Sequence, residues 1–278
     1  MTASVARTVV LALAVLATAC SGRGGSPLGP QYEYEEDLTL RMDGSASMVV
    51  NASVPALVLL RGLDLPADVK SRADQLKEQV RAIYASGETH VTRVSTWTRQ
   101  GRRFVGVTVR IDNIRTLPAV APFSWANYDL HDQGAEVIFR QRMSKPVSKR
   151  SLQEVGLSGN ELVAFRLHLP ARIRFQNSRY LDRDESRPAA RGNIITWEQR
   201  LEDRLKGQPI AYAQDKTPDV MEVLMDRESI LYRTLWLFGL AFAAALAVLG
   251  GLIWFTMRRG EPDPTPGSGG PASSSPPR

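Results

Sequence analysis

The side chains best suited to chemistry in this chain are few and lie far apart. Its three histidines, His90, His131 and His168, show no H-E-x-x-H or H-x₃₋₅-H spacing and have no cysteine beside them. A zinc site is therefore not predicted, and we expect these histidines on the surface of strands or loops. The chain also has no G-x-S-x-G elbow, no Walker loop and no G-x-G-x-x-G after a predicted strand. We expect neither an enzyme nor a protein that needs a cofactor.

Charged residues are mixed along the chain. Its 35 basic and 29 acidic residues give a formal charge of +6, without a Lys/Arg block that contains interleaved aromatic residues. Nucleic-acid binding is therefore not expected. Residues 179–191 (RYLDRDESRPAAR) alternate carboxylates with arginines, which would repel a calcium ion, so we expect a solvated loop there.

The N-terminal residues predict export. A basic start, a short apolar run and small residues are typical of a secretory signal, and the apolar run is too short to span a bilayer. We predict a signal peptide over residues 1–20. Its end is similar to a lipobox, which would make Cys20, the only cysteine, a lipidation site. However, Ala17-Thr18-Ala19 is also an A-x-A site for ordinary signal peptidase. Residues 21–30, rich in Gly, Pro and Ser, are typical of a flexible tether.

The C-terminal region predicts one transmembrane helix. Residues 234–257 form a segment without a charged residue that is long enough to span a bilayer. Trp236 and Trp254 lie near its two ends. A helical period in residues 219–232 suggests that a juxtamembrane helix runs into the span, so that 219–257 form one element. Arg258-Arg259 follow directly, which favours a cytoplasmic C-terminus. Residues 258–278 are predicted to be a disordered cytoplasmic tail.

Residues 31–218 predict one α+β domain outside the cytoplasm. One apolar stripe over residues 66–85 predicts an amphipathic helix. Alternating segments around it predict strands, so we expect one curved antiparallel sheet with that helix packed across it. Asp43-Gly44 predicts the turn of a first hairpin. The predicted strands cover residues 32–40, 46–54, 90–98, 104–111, 123–130, 135–142, 161–169, 172–176 and 194–201.

Two groups of apolar side chains are candidates for a ligand cavity between helix and sheet. The helix stripe supplies Val69, Leu76, Val80 and Ile83, and the predicted strands or their ends supply Trp97, Trp125 and Trp197. Aromatic residues in strands also pack in cores or against cross-strand partners, so packing and a pocket wall both remain open.

Several of these features occur in the same order in a known family. The ending at Cys20, the hairpin DLTLRMDGSASMVV (37–50), the helix after Leu65, the strand GNIITW (192–197) and the span before Arg258-Arg259 together resemble the LppM-type bacterial envelope lipoproteins. The resemblance implies an α+β extracytoplasmic domain with a cavity for a lipid or glycolipid. It carries over no catalytic residue.

We therefore expect a non-catalytic binding module in the bacterial cell membrane. Its partners would be the membrane, through a lipid anchor and a single span, and a lipid or glycolipid ligand. The alternative is an accessory subunit that contacts an envelope protein through a sheet edge or the span.

Overall fold

The computed structural model describes residues 30–66, 72–146, 150–187 and 192–259. The predicted signal peptide with Cys20, tether residues 21–29, Val69 and tail residues 260–278 lie outside the described residues. The chain divides into two compact units, Met1–Arg227 and Glu228–Arg278.

The first unit contains a six-stranded sheet that is built from two hairpins and two later strands. Its strand order is β3-β4-β2-β1-β7-β9. Neighbouring strands are antiparallel except β1 and β7, which are parallel. The strands are β1 (Tyr32–Leu40), β2 (Ala46–Ser53), β3 (Thr89–Arg99), β4 (Arg102–Ile111), β7 (Leu162–His168) and β9 (Ile194–Arg200).

A second sheet has four strands in the order β5-β6-β10-β8. These strands are β5 (Ala126–Gln133), β6 (Glu136–Met143), β8 (Ala171–Gln176) and β10 (Val220–Ser229). The prediction of an α+β fold is therefore confirmed, but the expectation of one antiparallel sheet is not. The chain forms two sheets, and the larger one is mixed because β1 pairs with a parallel strand far along the chain.

Among the described residues, three α-helices accompany the sheets: α1 (Val54–Arg61), α2 (Ala73–Tyr84) and α3 (Leu201–Lys206). Short 3-10 helices cover Ile114–Ala119, Ala121–Phe123 and Gln153–Val155. Helix α2 lies within the range that the apolar stripe predicts. Helix α1 is an addition, in a place where the sequence suggested that strand β2 continues to Val54. The side chain of Ser53 accepts a hydrogen bond from the Ala56 N–H, and Pro55 suits the first turn, so the chain turns into a helix there.

Alternation along the strands separates a buried face of the larger sheet from an outer face. In β4, the side chains of Val105, Val107, Val109 and Ile111 belong to the hydrophobic core. Residues at the intervening positions, such as Phe104 and Gly106, therefore face the other side of the sheet. This outer face is the one on which polar side chains accumulate.

A charged cluster lies inside the core. The Arg61 guanidinium forms an ion pair of 2.9 Å with Glu36, and both side chains are almost completely buried. It lies over the rings of Trp125, at 3.4 Å from the centroid, and Tyr34, at 4.4 Å. Its Nε donates to the Tyr34 hydroxyl, which in turn donates to Glu36. We call these four residues the Arg61 cluster. The hydrogen bonds among Arg61, Tyr34 and Glu36, and the stacking of the guanidinium on Trp125, tie α1 and the chain around Trp125 to β1.

One buried amide joins the two sheets. Asn177 follows β8 and is 1% exposed. Its amide nitrogen donates to the Val220 carbonyl at 2.7 Å, and its oxygen accepts from the backbone N–H of Glu222 at 2.9 Å, both in β10. The same oxygen accepts from the indole of Trp197 in β9 at 3.3 Å. A single side chain therefore holds a strand of each sheet.

The predicted juxtamembrane helix over residues 219–232 is wrong for most of its length. Residues Val220–Ser229 form strand β10, which pairs with β6 from Val220 to Asp226. Met221, Val223 and Met225 alternate into the core. The sequence VMEVLM fits both a helical and a strand period, and pairing with β6 decides between them.

The second unit contains helix α4 (Ile230–Arg259). Its segment Ile230–Arg258 has a mean hydropathy of 2.2, and none of its most apolar window is buried. Within the described part of the chain, this is the one helix long and apolar enough to span a membrane. It includes all of the predicted span.

Candidate functional site

Most of the predicted cavity residues lie in the core of the first unit. Leu76 and Val80 are 1% and 0% exposed, and Trp125 and Trp197 are also buried. Ile83 is partly buried and packs against the same core. Val69, the remaining member of the helix stripe, lies outside the described residues. The continuous burial of the first four side chains favours their interpretation as core packing.

Trp97 is separated from these residues because it lies on the outer face of the larger sheet. It is 37% exposed and pairs across the strands with Phe104. The two rings stack with centroids 5.6 Å apart and an angle of 21° between their planes. The Arg99 guanidinium lies 4.1 Å from the centroid of the Phe104 ring. The indole is thus supported from below while part of it remains accessible.

A glycine leaves the space that Trp97 uses. A Cβ atom at Gly106 would lie 3.0 Å from Cζ3 of Trp97, 3.0 Å from the Asn51 Oδ1 and 2.7 Å from the Ser95 hydroxyl. These approaches are too close for any larger residue without movement of its neighbours. Gly106 therefore allows the indole to lie low across β4, next to Asn51 of β2.

The register of the strands places further small and polar residues in line with Gly106 across the outer face of the sheet. Gly106 pairs with Asn51, Asn51 with Glu35, and Glu35 with Ala164. Ala164 in turn pairs with Glu198 of β9. Paired residues project from the same face of a sheet, so this row contains two small residues, Gly106 and Ala164, and three polar ones. The row forms a shallow polar floor beside the indole of Trp97.

These residues border a groove of about 450 Å³, which we call the Trp97 groove. Its lining consists of Pro30, Tyr32, Glu35, Asn51, Trp97, Arg99, Phe104 and Arg166. One wall is aromatic, and the floor and opposite wall are polar. That combination of an apolar surface with a few fixed polar groups is typical of small-molecule sites.

Ion pairs hold the polar wall in place. Arg166 lies 3.0 Å from a carboxylate oxygen of Glu35 and 3.3 Å from one of Asp37. The Tyr32 hydroxyl donates to Glu198 at 2.5 Å, and Arg187 pairs with the same carboxylate at 2.8 Å. Burial, together with the hydrogen bond to Glu198, raises the pKa of the Tyr32 phenol, which therefore stays a neutral donor. Each of these carboxylates has an arginine partner along this wall, so the groove does not select for a highly charged ligand.

A second group of charged residues, Glu33, Arg102 and Glu161, lies next to Arg99 at the end of the groove. Glu33 is buried and pairs with Arg102 at 3.0 Å, and Arg99 lies 3.9 Å away. Burial raises the pKa of Glu33 despite these two arginines. Burial also acts to raise the pKa of Glu161, but hydrogen bonds from the backbone of Ser158 and Gly159 outweigh it and lower that pKa. Arg102 also lies 3.8 Å from Glu161 and so interacts with both carboxylates.

The histidines lie away from any clustered set of metal ligands. Each has an aspartate beside it: His90 pairs with Asp112, His131 with Asp129 and His168 with Asp37. Across the described ranges, no group of three His, Cys, Asp or Glu side chains is arranged to hold a metal ion.

The chemistry that the Trp97 groove offers is recognition of a ring with one apolar face and a polar rim. An indole stacks on the C–H face of such a ring and excludes water from it. The Asn51 amide, the Glu35 carboxylate and the Tyr32 hydroxyl can exchange hydrogen bonds with surrounding hydroxyl groups. A pyranose sugar has this shape.

Sequence reasoning identified Trp97 but missed its neighbours in the groove. Asn51, Glu35 and Arg166 come from three strands, and their proximity depends on β1 pairing with both β2 and β7. The outward position of Asn51 and Glu35 follows from alternation in the first hairpin. The contribution of Arg166 could not be read, because no short-range pattern reveals a parallel pair between distant segments.

No protein-family model matches the chain, and a search of curated proteins also finds no match. A search of solved structures finds similarity to the folded domain of Mycobacterium tuberculosis LppM, determined by NMR. The two chains share 16% identity, the match covers 76% of this chain and 99% of that one, and the TM-score is 0.34. The similarity is weak and assigns no function to this chain.

Proposed function

We propose that this protein is a membrane-anchored, non-catalytic binding module of the bacterial cell envelope, which holds the sugar headgroup of a glycolipid in the Trp97 groove. The observation that carries the proposal is the accessible indole of Trp97, set low over Gly106 beside the polar row of Asn51 and Glu35. This arrangement suits a neutral or weakly charged sugar better than an acyl chain, since polar side chains form much of the groove.

The anchoring part of the proposal is supported by α4 and by the sequence of both termini. Helix α4 is long and apolar enough to span a bilayer. A signal-like segment before the domain and Arg258-Arg259 after the helix favour a domain outside the cytoplasm. A reporter fused after Arg259 is expected to be active only in the cytoplasm. Activity of that fusion in the periplasm would reverse the proposed orientation.

Lipidation of Cys20 adds a second anchor to the proposal. Cys20→Ala is expected to lose metabolic labelling by fatty acid, while α4 keeps the protein in the membrane. Equal labelling of the wild type and the variant would favour ordinary signal peptidase cleavage after Ala19.

The sugar-binding part is tested with the full chain in lipid nanodiscs on an array of neutral and anionic oligosaccharides. The wild type should bind a subset of neutral glycans, and Trp97→Ala should weaken that binding about tenfold, which corresponds to about 1.4 kcal/mol. Phe175→Ala is the matched control, because Phe175 is 41% exposed on β8 of the other sheet. Equal binding by wild type and Trp97→Ala, or binding to none of the glycans, would contradict a sugar site in this groove.

A second function, that of an accessory subunit, is favoured by one observation. Strand β8 is an edge of the smaller sheet, and it carries the exposed side chain of Phe175. An edge strand with an exposed aromatic residue can accept a strand from a partner. The test is cross-linking of an envelope protein to the wild type and to two variants. Loss of the cross-link in Phe175→Ala, with the cross-link kept in Trp97→Ala, would favour the accessory-subunit function over sugar binding.

A further inference from the structure

The first turns of α4 carry two adjoining notches that the sugar-binding proposal does not use. One, of about 390 Å³, is lined by charged and aromatic side chains, including Glu228, Arg233 and Trp236. The other, of about 440 Å³, shares Tyr232 and Trp236 with the first. Together they form one continuous surface that changes from charged to apolar along the helix.

The charged notch has one group of each sign. Neither Glu228 nor Arg233 forms an ion pair or a side-chain hydrogen bond with another described residue. The Ser229 hydroxyl accepts from the backbone N–H of Tyr232, which fixes the first turn between the two charges. Two unpaired and opposite charges beside one notch complement a ligand that itself carries a cation and an anion.

The apolar notch lies one turn further into the helix. It is lined by Leu235, Gly239 and Leu240 in addition to the two shared aromatic residues. A Cβ atom at Gly239 would have no neighbour within 4 Å, so the missing side chain leaves open space there. Tyrosine and tryptophan at this position are typical of a membrane interface, where a headgroup meets its acyl chains.

We propose that these notches bind one zwitterionic aminophospholipid, with its phosphate on Arg233, its ammonium group on Glu228 and one acyl chain across Gly239. This inference rests on the membrane location of α4, which is part of the proposed function, but it is independent of the Trp97 groove. An ammonium group donates hydrogen bonds to a carboxylate, whereas a choline headgroup has no donor and a glycerol headgroup has no positive charge. The site therefore distinguishes phosphatidylethanolamine from phosphatidylcholine and phosphatidylglycerol.

The test uses the full chain in nanodiscs that contain equal amounts of these three phospholipids, followed by native mass spectrometry of the released protein. Phosphatidylethanolamine should be the retained lipid. Because one interfacial charge contributes about 1 kcal/mol, Glu228→Gln should reduce its preference over phosphatidylglycerol about fivefold, and Arg233→Gln should reduce retention of both. Gly239→Leu should lower retention by filling the apolar notch. Gly250→Leu is the matched control, since Gly250 also has no neighbour within 4 Å but lies beyond the notches.

Two results would overturn the inference while the membrane anchor stands. The first is equal retention of the three lipids by the wild type. The second is an unchanged preference in Glu228→Gln together with unchanged retention in Arg233→Gln. Carbonate extraction of cell membranes tests separately whether the protein is held by a membrane span. Release of the protein by carbonate would contradict the membrane span itself and, with it, this lipid site.

Discussion

Two glutamates that follow one another in β1 meet arginines on opposite faces of the sheet. Glu36 points inward and pairs with Arg61 at 2.9 Å, where the side chains are 3% and 2% exposed. Glu35 points outward and pairs with Arg166 at 3.0 Å, where the side chains are 18% and 31% exposed. Aromatic rings accompany both pairs: Trp125 and Tyr34 inside, Trp97 and Phe104 outside.

The difference between the two pairs lies in their access to water. Inside, loss of either partner leaves a charge that water cannot solvate, so the pair stabilises one arrangement of the core. Outside, water screens the charges, and each group can exchange its partner for a ligand at small cost. The same residue types therefore hold the fold on one face and form a candidate binding surface on the other.

Breaking the inner pair should give the largest effect. Arg61→Ala leaves Glu36 buried without its cation and should reduce the free energy of unfolding by about 3–5 kcal/mol. Denaturant unfolding of the full chain in detergent measures the loss. The double variant Arg61→Met, Glu36→Leu removes both charges and should recover most of the stability. A loss below about 1 kcal/mol in the single variant would show that water reaches the pair.

The inner face can also be weakened without a change of charge. Leu76 is 1% exposed on α2, so Leu76→Ala should cost about 2–5 kcal/mol through lost contacts and the space that remains. Ile83→Val removes one methyl group from a partly buried neighbour on the same helix and should cost about 0.5–1.5 kcal/mol or less. If Leu76→Ala costs little but changes the amount of lipid that copurifies, Leu76 lines a ligand cavity after all.

Breaking the outer pair should hardly affect stability. Arg166→Ala should reduce the free energy of unfolding by at most about 1 kcal/mol, because the pair is partly exposed. The same variant should weaken glycan binding on the array, since Arg166 positions Glu35 in the groove. A stability loss as large as that of Arg61→Ala would remove the contrast between the two faces.

A pH titration sharpens the comparison at the rim of the groove. Because burial raises the pKa of Glu33 above 4.5, the folded state holds this proton more tightly than the unfolded chain does. Its contribution to stability is therefore present below the unfolded pKa and is lost as the pH rises through the folded pKa. Glu33→Gln should flatten this decrease in the free energy of unfolding. An identical pH dependence in wild type and variant would mean that Arg99 and Arg102 compensate for the burial.

Local patterns in the sequence predicted the elements better than their arrangement. The Asp43-Gly44 turn, the strands of the first two hairpins and helix α2 follow from turn residues and periodicity. Helix α1 was missed because all eight of its residues are buried, so it has no polar face to reveal a helical period. Its start could have been read from Ser53 and Pro55, which are a cap and a first-turn residue.

The candidate site was less predictable than the fold. Trp97, Trp125 and Trp197 appear equivalent in the sequence, since each lies in or next to a predicted strand. Pairing places the first on the outer face and the other two in the core. The side of a sheet on which a residue lies depends on register, and register between distant strands is set by packing of the whole domain.

The parallel pairing of β1 with β7 also sets the order in which the domain can be completed. A growing chain emerges from its N-terminus, and more than a hundred residues separate these two strands. Until β7 has been synthesised, β1 can pair with β2 but keeps one edge open, so the incomplete chain passes through a stage that is prone to aggregation. Pulse-labelled hydrogen exchange should find the amides of β1 that face β7 protected no earlier than those of β7. The N-terminal hairpin of β1 and β2 can thus form first, but the larger sheet is completed only when β7 pairs with β1.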